Sequence, residues 1–195
     1  MINYYPLSKH MQFAINKTMC IQSHTGLKVN FLEITLASLA ITCSALAGDL
    51  PDPRVTPGAI NPNVKQENIQ QTICVPGFTK TIRPPAYYTN HLKRSQLDGD
   101  YSAADRNPKH YEEDHLIALS LGGNPTDVRN LWVQPRKSEW SAEKKDQLEF
   151  VLHRLVCRGE VTLQDAQSEI ATDWIAAYKK YVSSNDEFKV KGGWD

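Results

Sequence analysis

The sequence predicts an α+β fold, in which a small β-hairpin plus helix precedes an antiparallel helix pair and the N-terminal half is irregular. Two short strand patterns flank a loop of Gly, Asn, Pro and Asp within residues 111–135. Apolar residues then recur at i, i+3, i+4, i+7 and i+8 over 148–156, which is the period of one helix face. A similar period returns over 166–181, beyond Gly159, and predicts the second helix.

Turn-forming residues are frequent at the start of the N-terminal half. Residues 48–64 contain four prolines and two glycines, so we expect residues 48–79 to form an extended lead-in packed on the core. The main domain is expected at 80–195, with its core at about 109–158. Thr89 or Asn90 is predicted to cap a short helix that continues to about Leu97.

The two long helices have clear end signals. The first is predicted to start near Ser138–Ser141 and to stop at Gly159, a residue that suits the left-handed position after a helix. Thr162 is predicted to cap the second.

The overall composition of the 195-residue chain excludes some protein classes. Hydrophobic residues make up 41% and charged residues 23%, which excludes a disordered tail and a multi-span membrane protein. The 22 Lys and Arg residues balance 22 Asp and Glu residues. This balance argues against a domain that binds nucleic acid through bulk positive charge.

Residues 1–47 have the pattern of a secretory signal peptide. Three lysines precede an apolar run that ends in Ala45-Leu46-Ala47, as a leader with a cleavage site does. Its uninterrupted part, Ile34 to Ala47, has 14 residues, fewer than the ~20 of a spanning helix. We therefore expect an exported protein, periplasmic or secreted, with no stable membrane insertion after leader removal. A buried N-terminal helix is the alternative.

Leader removal would change both the charge and the cysteine count. The leader holds three Lys and one Glu, so 19 basic and 21 acidic side chains would remain of 22 each, a net charge of −2. Cys74 and Cys157 would be the remaining cysteines, and two cysteines in an exported chain predict one disulfide. A pair of buried free thiols is the alternative. The sequence shows no CxxC motif and no Cys/His cluster, so a structural zinc site is not expected.

A basic patch precedes the hairpin. Residues 80–110 contain six Lys or Arg residues and three Asp residues. Lys93 and Arg94 lie within it and are candidate nucleic-acid contacts, although a solvated helix face has the same charge pattern.

The hairpin holds the residues suited to chemistry. The first strand carries Glu112, Asp114 and His115, the pair Gly122-Gly123 follows, and Asn130-Leu131 begins the second strand fifteen residues after His115. The next helix bears Lys145. This order resembles the ββα-metal core of HNH endonucleases over about 35 residues, and the longer chain resembles exported bacterial HNH-like proteins.

The resemblance implies a role for each residue. His115 would be the general base and Asp114 the ligand of one divalent cation, with Mg²⁺ expected and Mn²⁺ or Zn²⁺ as alternatives. Asn130 would tie the loop and orient His115, and Glu112 would support His115 or the metal. The family usually has His or Asn in the first helical turn. Here Glu139 is the expected ligand, with Glu143 as the alternative. Lys145, on the solvent side of its helix, would meet a phosphate.

Three functions are compatible with these residues. The first is a metal-dependent endonuclease that hydrolyses phosphodiester bonds of DNA or RNA. The second is a catalytically degenerate HNH scaffold that binds nucleic acid or protein in the cell envelope. The third is a disulfide-stabilised structural protein of the envelope. Without their context, Asp114 and His115 would be read as a surface ion pair at a strand end.

Overall fold

The structure is a computed structural model that describes residues 49–99 and 103–183. The predicted leader, residues 1–47, lies outside the described residues. The α+β class is confirmed: the described ranges contain a two-stranded antiparallel sheet and α-helices. In chain order these are α1 (Phe78–Ile82), α2 (Ala86–Asp98), β1 (Tyr111–His115), β2 (Leu131–Pro135), α3 (Ala142–Arg158) and α4 (Leu163–Tyr181).

The two strands form the predicted hairpin. His115 pairs with Leu131 and Tyr111 pairs with Pro135 across the sheet. Because side chains alternate along a strand, Tyr111, Glu113 and His115 share one face of β1. Glu112 and Asp114 therefore point from the opposite face.

A different helix covers each face of the hairpin. Tyr111 packs with Leu97 of α2 in a small apolar cluster. On the other face, the ammonium of Lys145 in α3 contacts Asp114. The strand that carries the candidate catalytic residues therefore lies between α2 and α3.

The main core lies between the hairpin and the helix pair. Trp132 of β2, Leu148 and Leu152 of α3, and Trp174 of α4 are fully buried there. The lead-in adds Val64, Ile69 and Ile73 to the same core. The apolar stripes seen in the sequence thus face one another.

The helix ends follow the sequence signals at α3 and α4. Gly159 has a φ of 76° after the last turn of α3, and the Thr162 hydroxyl accepts a hydrogen bond from the Asp165 amide at 3.0 Å. The predicted cap of α2 is wrong, because that helix begins at Ala86, directly after Pro85. Thr89 lies inside it, and its hydroxyl donates to the carbonyl of Ala86.

A disulfide joins Cys74 and Cys157, the pair expected from the sequence. Their Cα atoms are 5.7 Å apart, and the two residues are 83 positions apart along the chain. The bond fastens the lead-in to the last turn of α3. None of the helices in the described ranges is long and apolar enough to cross a lipid bilayer.

Candidate active site

A polar cleft of about 280 Å³ lies beside β1, between α2 and α3. It combines the acidic end of β1 with cationic side chains from the flanking segments. Its lining comprises Arg83, Thr89, Asn90, Lys93, the run from Glu112 to His115, Ala118, Leu119, Arg136, Asp146 and Glu149.

The loop that closes the hairpin is held by Asn130. The Asn130 side chain is fully buried. Its Oδ1 accepts from the Ile117 amide at 2.9 Å, and its Nδ2 donates to the carbonyls of Ile117 and Asn124, both at 3.0 Å. The Asn130 side chain therefore supplies hydrogen bonds to loop backbone groups that have no partner strand.

The Gly-Gly pair is required by the same close packing. A Cβ on Gly123 would lie 1.7 Å from the carbonyl oxygen of Ile117, and Gly122 has a φ of 73°. Only glycine allows both the close approach and the left-handed conformation. The loop can therefore fold tightly back on the end of β1.

His115 is oriented by this loop. Its Nε2 lies 3.0 Å from the carbonyl oxygen of Pro125. A carbonyl only accepts hydrogen bonds, so Nε2 carries the proton and Nδ1 of the neutral ring is an acceptor. The side chain is 5% exposed, and burial lowers the pKa of His115 below its ordinary value. Both effects favour a neutral imidazole that can take up a proton.

Lys145 is the internal counter-ion of the site. Its Nζ lies 2.7 Å from Oδ2 of Asp114, donates to the carbonyl of His115 at 2.8 Å, and also binds Glu149. Burial opposes the charge on Lys145, but the attraction of Asp114 and Glu149 outweighs it and raises the pKa of the ammonium. Lys145 therefore stays charged and links α3 to β1.

The expectation that Lys145 lies on the solvent side of its helix is wrong. The residue is fully buried, since Leu148 and Leu152, at i+3 and i+7, belong to the same helix face. The spacing of Lys145 from these two leucines indicated a buried position, whereas the charge of Lys145 had favoured a solvent-exposed one. The ammonium is tied to Asp114 and Glu149, and it is not free to meet a phosphate from the surface.

Several carboxyl groups of the cleft have a raised pKa. Burial, followed by repulsion from Asp114, raises the pKa of Glu112 to about 7 and that of Glu113 to about 8. The same two causes raise the pKa of Asp146 to about 6. Burial also raises the pKa of Glu149 above its usual range. The cleft therefore holds more acidic groups than its own cations neutralise.

The predicted cationic contacts divide between two surfaces. Lys93 lines the cleft, where its ammonium donates to the carbonyl of Tyr111 at 3.2 Å. Arg136 lines it too and pairs with Glu112 at 2.8 Å. Arg94 is exposed and lines a separate groove on α2. The structure thus brings Lys93, but not Arg94, to the candidate catalytic residues.

The acidic residue that α3 contributes differs from the expected one. Glu139 lies exposed in the turn before α3, and Glu143 is exposed in its first turn; neither lines the cleft. Asp146 and Glu149 line it instead. Their spacing of three residues around the Lys145 face was the signal that sequence reasoning missed.

The oxygen donors of the cleft fit a hard divalent cation. Asp114 and Asp146 both line it, and the charge of Asp114 contributes to the raised pKa of Asp146. In the described residues, the cleft does not hold three ligand atoms within 4.8 Å of one another. A cation bound by one or two carboxylates and water is the usual arrangement for Mg²⁺, so this donor set suits Mg²⁺ or Mn²⁺ better than Zn²⁺.

A second group of candidate ligands lies away from the cleft. Cys74, His153 and Cys157 have ligand atoms within 4.8 Å of one another. The expectation of no Cys/His cluster is therefore wrong, because the fold brings Cys74 from a distant segment to His153 and Cys157 of α3. Here the two sulfurs form the disulfide, and Nε2 of His153 lies 2.9 Å from the carbonyl oxygen of Ile73. The sulfur atoms and Nε2 of this group are therefore already engaged in the disulfide and in the contact with the Ile73 carbonyl.

No family model, curated protein or solved structure matches the chain.

Proposed function

We propose that the chain is a metal-dependent endonuclease of the HNH type, which hydrolyses phosphodiester bonds of DNA or RNA in the cleft beside β1. The observation that carries the proposal is the state of His115. The Pro125 carbonyl accepts a hydrogen bond from Nε2, and burial lowers the pKa of His115 and so favours the neutral ring. A neutral imidazole with Nδ1 as acceptor is suited to take a proton from water that attacks phosphorus.

The neighbouring residues support this role. Asn130 holds the loop that contains Pro125, so it is a positioning residue for His115. Lys145 holds both the Asp114 carboxylate and the His115 carbonyl. Asp114 and Asp146 would hold a divalent cation, which when bound supplies charge stabilisation to the phosphate. Lys93 and Arg83 line the same cleft and offer positive charge to the substrate backbone.

A catalytically degenerate binding module is the second candidate. The ion pair between Lys145 and Asp114 favours it, because one carboxylate oxygen of Asp114 already has a cationic partner. In that case the cleft would bind nucleic acid or protein without turnover.

The test compares His115, at the end of β1, with His110, which directly precedes β1. His115→Ala removes the proposed base, whereas His110→Ala changes an exposed histidine that pairs with Asp105 just before β1. Supercoiled plasmid is incubated with each purified protein and Mg²⁺ or Mn²⁺, and folding is checked by circular dichroism. We expect nicking by the wild type and by His110→Ala, none by folded His115→Ala, and none in EDTA. Plasmid binding without cleavage under every cation would favour the degenerate module.

A further inference from the structure

A second groove runs along α2 next to the cleft. It has a volume of about 610 Å³ and is lined by Tyr87, Tyr88, Asn90, His91 and Arg94. Tyr87, His91 and Arg94 lie at i, i+4 and i+7, so they share one side of the helix. Asn90 also lines the candidate active cleft, and the two depressions are therefore adjacent at this residue. We call this surface the α2 groove.

Tyr87 gives the α2 groove an accessible aromatic ring. Its side chain is 77% exposed, the largest value among the exposed large hydrophobic residues of the described ranges. The neighbouring Tyr88 donates from its hydroxyl to the carbonyl of Thr126 at 2.7 Å. This bond ties the start of α2 to the hairpin loop. Tyr87 is thus an exposed ring on a helix that is fixed to the catalytic hairpin.

Cationic side chains outnumber carboxyl groups in the segment that forms the α2 groove, and no carboxyl group lines the groove itself. From Phe78 to the end of α2 the chain contains Lys80, Arg83, Lys93 and Arg94, and Asp98 is the one acidic residue. Within the described part of the chain, Arg83 and Arg94 form no ion pair with a carboxylate. A segment of this charge, in a chain without net positive charge, is complementary to a polyanion.

We infer that the α2 groove binds single-stranded nucleic acid, with an unpaired base stacked on Tyr87 and the backbone phosphates at Arg94 and His91. Aromatic stacking beside cationic side chains is the usual way in which proteins hold a single strand without reading its sequence. The inference rests on the proposed nuclease function, because it describes the strand that leads into the cleft. It adds a preference for unpaired substrate, since a base within a duplex cannot stack on a side chain.

Binding is measured without turnover. Fluorescence anisotropy follows a labelled oligothymidylate with the purified protein in EDTA, for the wild type, Tyr87→Ala, Tyr87→Phe and Arg94→Ala. We expect Tyr87→Ala to raise Kd about tenfold and Tyr87→Phe to stay within about twofold, because the phenyl ring keeps the stacking surface. Arg94→Ala should reduce the slope of log Kd against log salt by about 0.7. Lys65→Ala removes an exposed lysine outside both clefts and should leave that slope unchanged.

Three results would overturn the inference: no binding by the wild type, a Tyr87→Ala Kd within twofold of wild type, or equal competition by a duplex of the same length. Cleavage of circular single-stranded DNA and of supercoiled plasmid, each in Mg²⁺, tests the nuclease function separately. If the wild type cleaves neither DNA but Tyr87→Ala loses binding in EDTA, the nuclease proposal fails and the α2 groove stands. If cleavage occurs and Tyr87→Ala binds like the wild type, the α2 groove fails and the nuclease proposal stands.

Discussion

The ammonium of Lys145 lies 2.7 Å from Oδ2 of Asp114, and both side chains are largely buried between β1 and α3. The same ammonium binds the carbonyl of His115 and the carboxyl group of Glu149. A single side chain of α3 therefore sets the position of two consecutive residues of the candidate active site.

Lys145→Met should destabilise the protein by about 3–5 kcal/mol, because it leaves the buried Asp114 carboxylate without its charge partner. Urea unfolding measures the loss. Lys144→Met is the matched control, since Lys144 lies 4.4 Å from the ring of Trp140 and forms no salt bridge among the described residues; it should cost less than about 1 kcal/mol. An equal decrease in the free energy of unfolding of the two variants would show that the buried ion pair does not stabilise the protein more than the contact of Lys144 with Trp140 does.

Asn130→Ala should cost about 3 kcal/mol, because it leaves the Ile117 amide and the carbonyls of Ile117 and Asn124 without partners. Asn130→Asp keeps the acceptor but loses the Nδ2 donor, and we also expect it to unfold at lower urea. Asn63→Ala changes an exposed side chain of the lead-in and serves as the control. A wild-type unfolding midpoint for Asn130→Ala would contradict the role of Asn130 in the loop.

The Asp146 and Glu139 carboxyl groups should differ in their effect on metal dependence. Asp146→Asn removes a carboxylate that lines the cleft, so the Mg²⁺ concentration for half-maximal plasmid cleavage should rise at least about tenfold. Glu139→Gln changes an exposed turn residue and should not alter that concentration. If Glu139→Gln raised the Mg²⁺ requirement and Asp146→Asn did not, Glu139 and not Asp146 would be the metal ligand.

Glu113 should make stability fall as the pH rises. Its pKa is raised to about 8 by burial and by repulsion from Asp114, whereas the pKa of an unfolded glutamate is about 4.3. Between these values the folded state binds more protons than the unfolded state, so the free energy of unfolding decreases with increasing pH. His115 acts in the opposite direction below about pH 6.5 because its pKa is lowered.

The contribution of Glu113 is isolated by comparison with Glu113→Gln, which is neutral at every pH. In EDTA, the difference in urea midpoint between Glu113→Gln and the wild type should grow in favour of the variant from pH 5.5 to pH 8.5. Glu143→Gln, an exposed residue of α3, should show no such change. A difference in urea midpoint that stays constant with pH would contradict the raised pKa of Glu113 in the folded wild type.

Cys74→Ser combined with Cys157→Ser should lower the free energy of unfolding by about 4 kcal/mol, the value expected for closing a loop of this size. A phosphine reductant should lower the unfolding midpoint of the wild type and leave that of the double variant unchanged. Unfolding of the wild type that is insensitive to full reduction would contradict a stabilising disulfide.

Local sequence signals predicted most of the fold. The hairpin, the Gly159 end of α3 and the Thr162 cap of α4 depend on residues close to them in sequence, and all three are as expected. The predicted start of α2 was wrong because a proline such as Pro85 can directly precede the first helical turn. A polar residue such as Thr89 then looks like a cap although it lies inside the helix.

The candidate site was less predictable than the fold. The hydrogen bonds of Asn130 could be expected, since that residue closes a hairpin loop onto itself. The cleft residues of α3 depend instead on the rotation of that helix against β1. This rotation buries Lys145 and turns Asp146 toward the cleft, while Glu139 stays in the preceding turn.

The disulfide encloses the candidate site in a covalent ring. Arg83, His115, Asn130, Lys145 and Glu149 all lie between Cys74 and Cys157, as do both strands. A protease cut at one peptide bond within this segment, for example beside the exposed Val128 of the hairpin loop, would open the chain but release no fragment. Both pieces would remain joined through the sulfurs, and the remaining contacts could keep β1 against α3. Such a ring would keep the residues of the candidate site covalently joined after a single proteolytic cut, whatever the global stability of the fold.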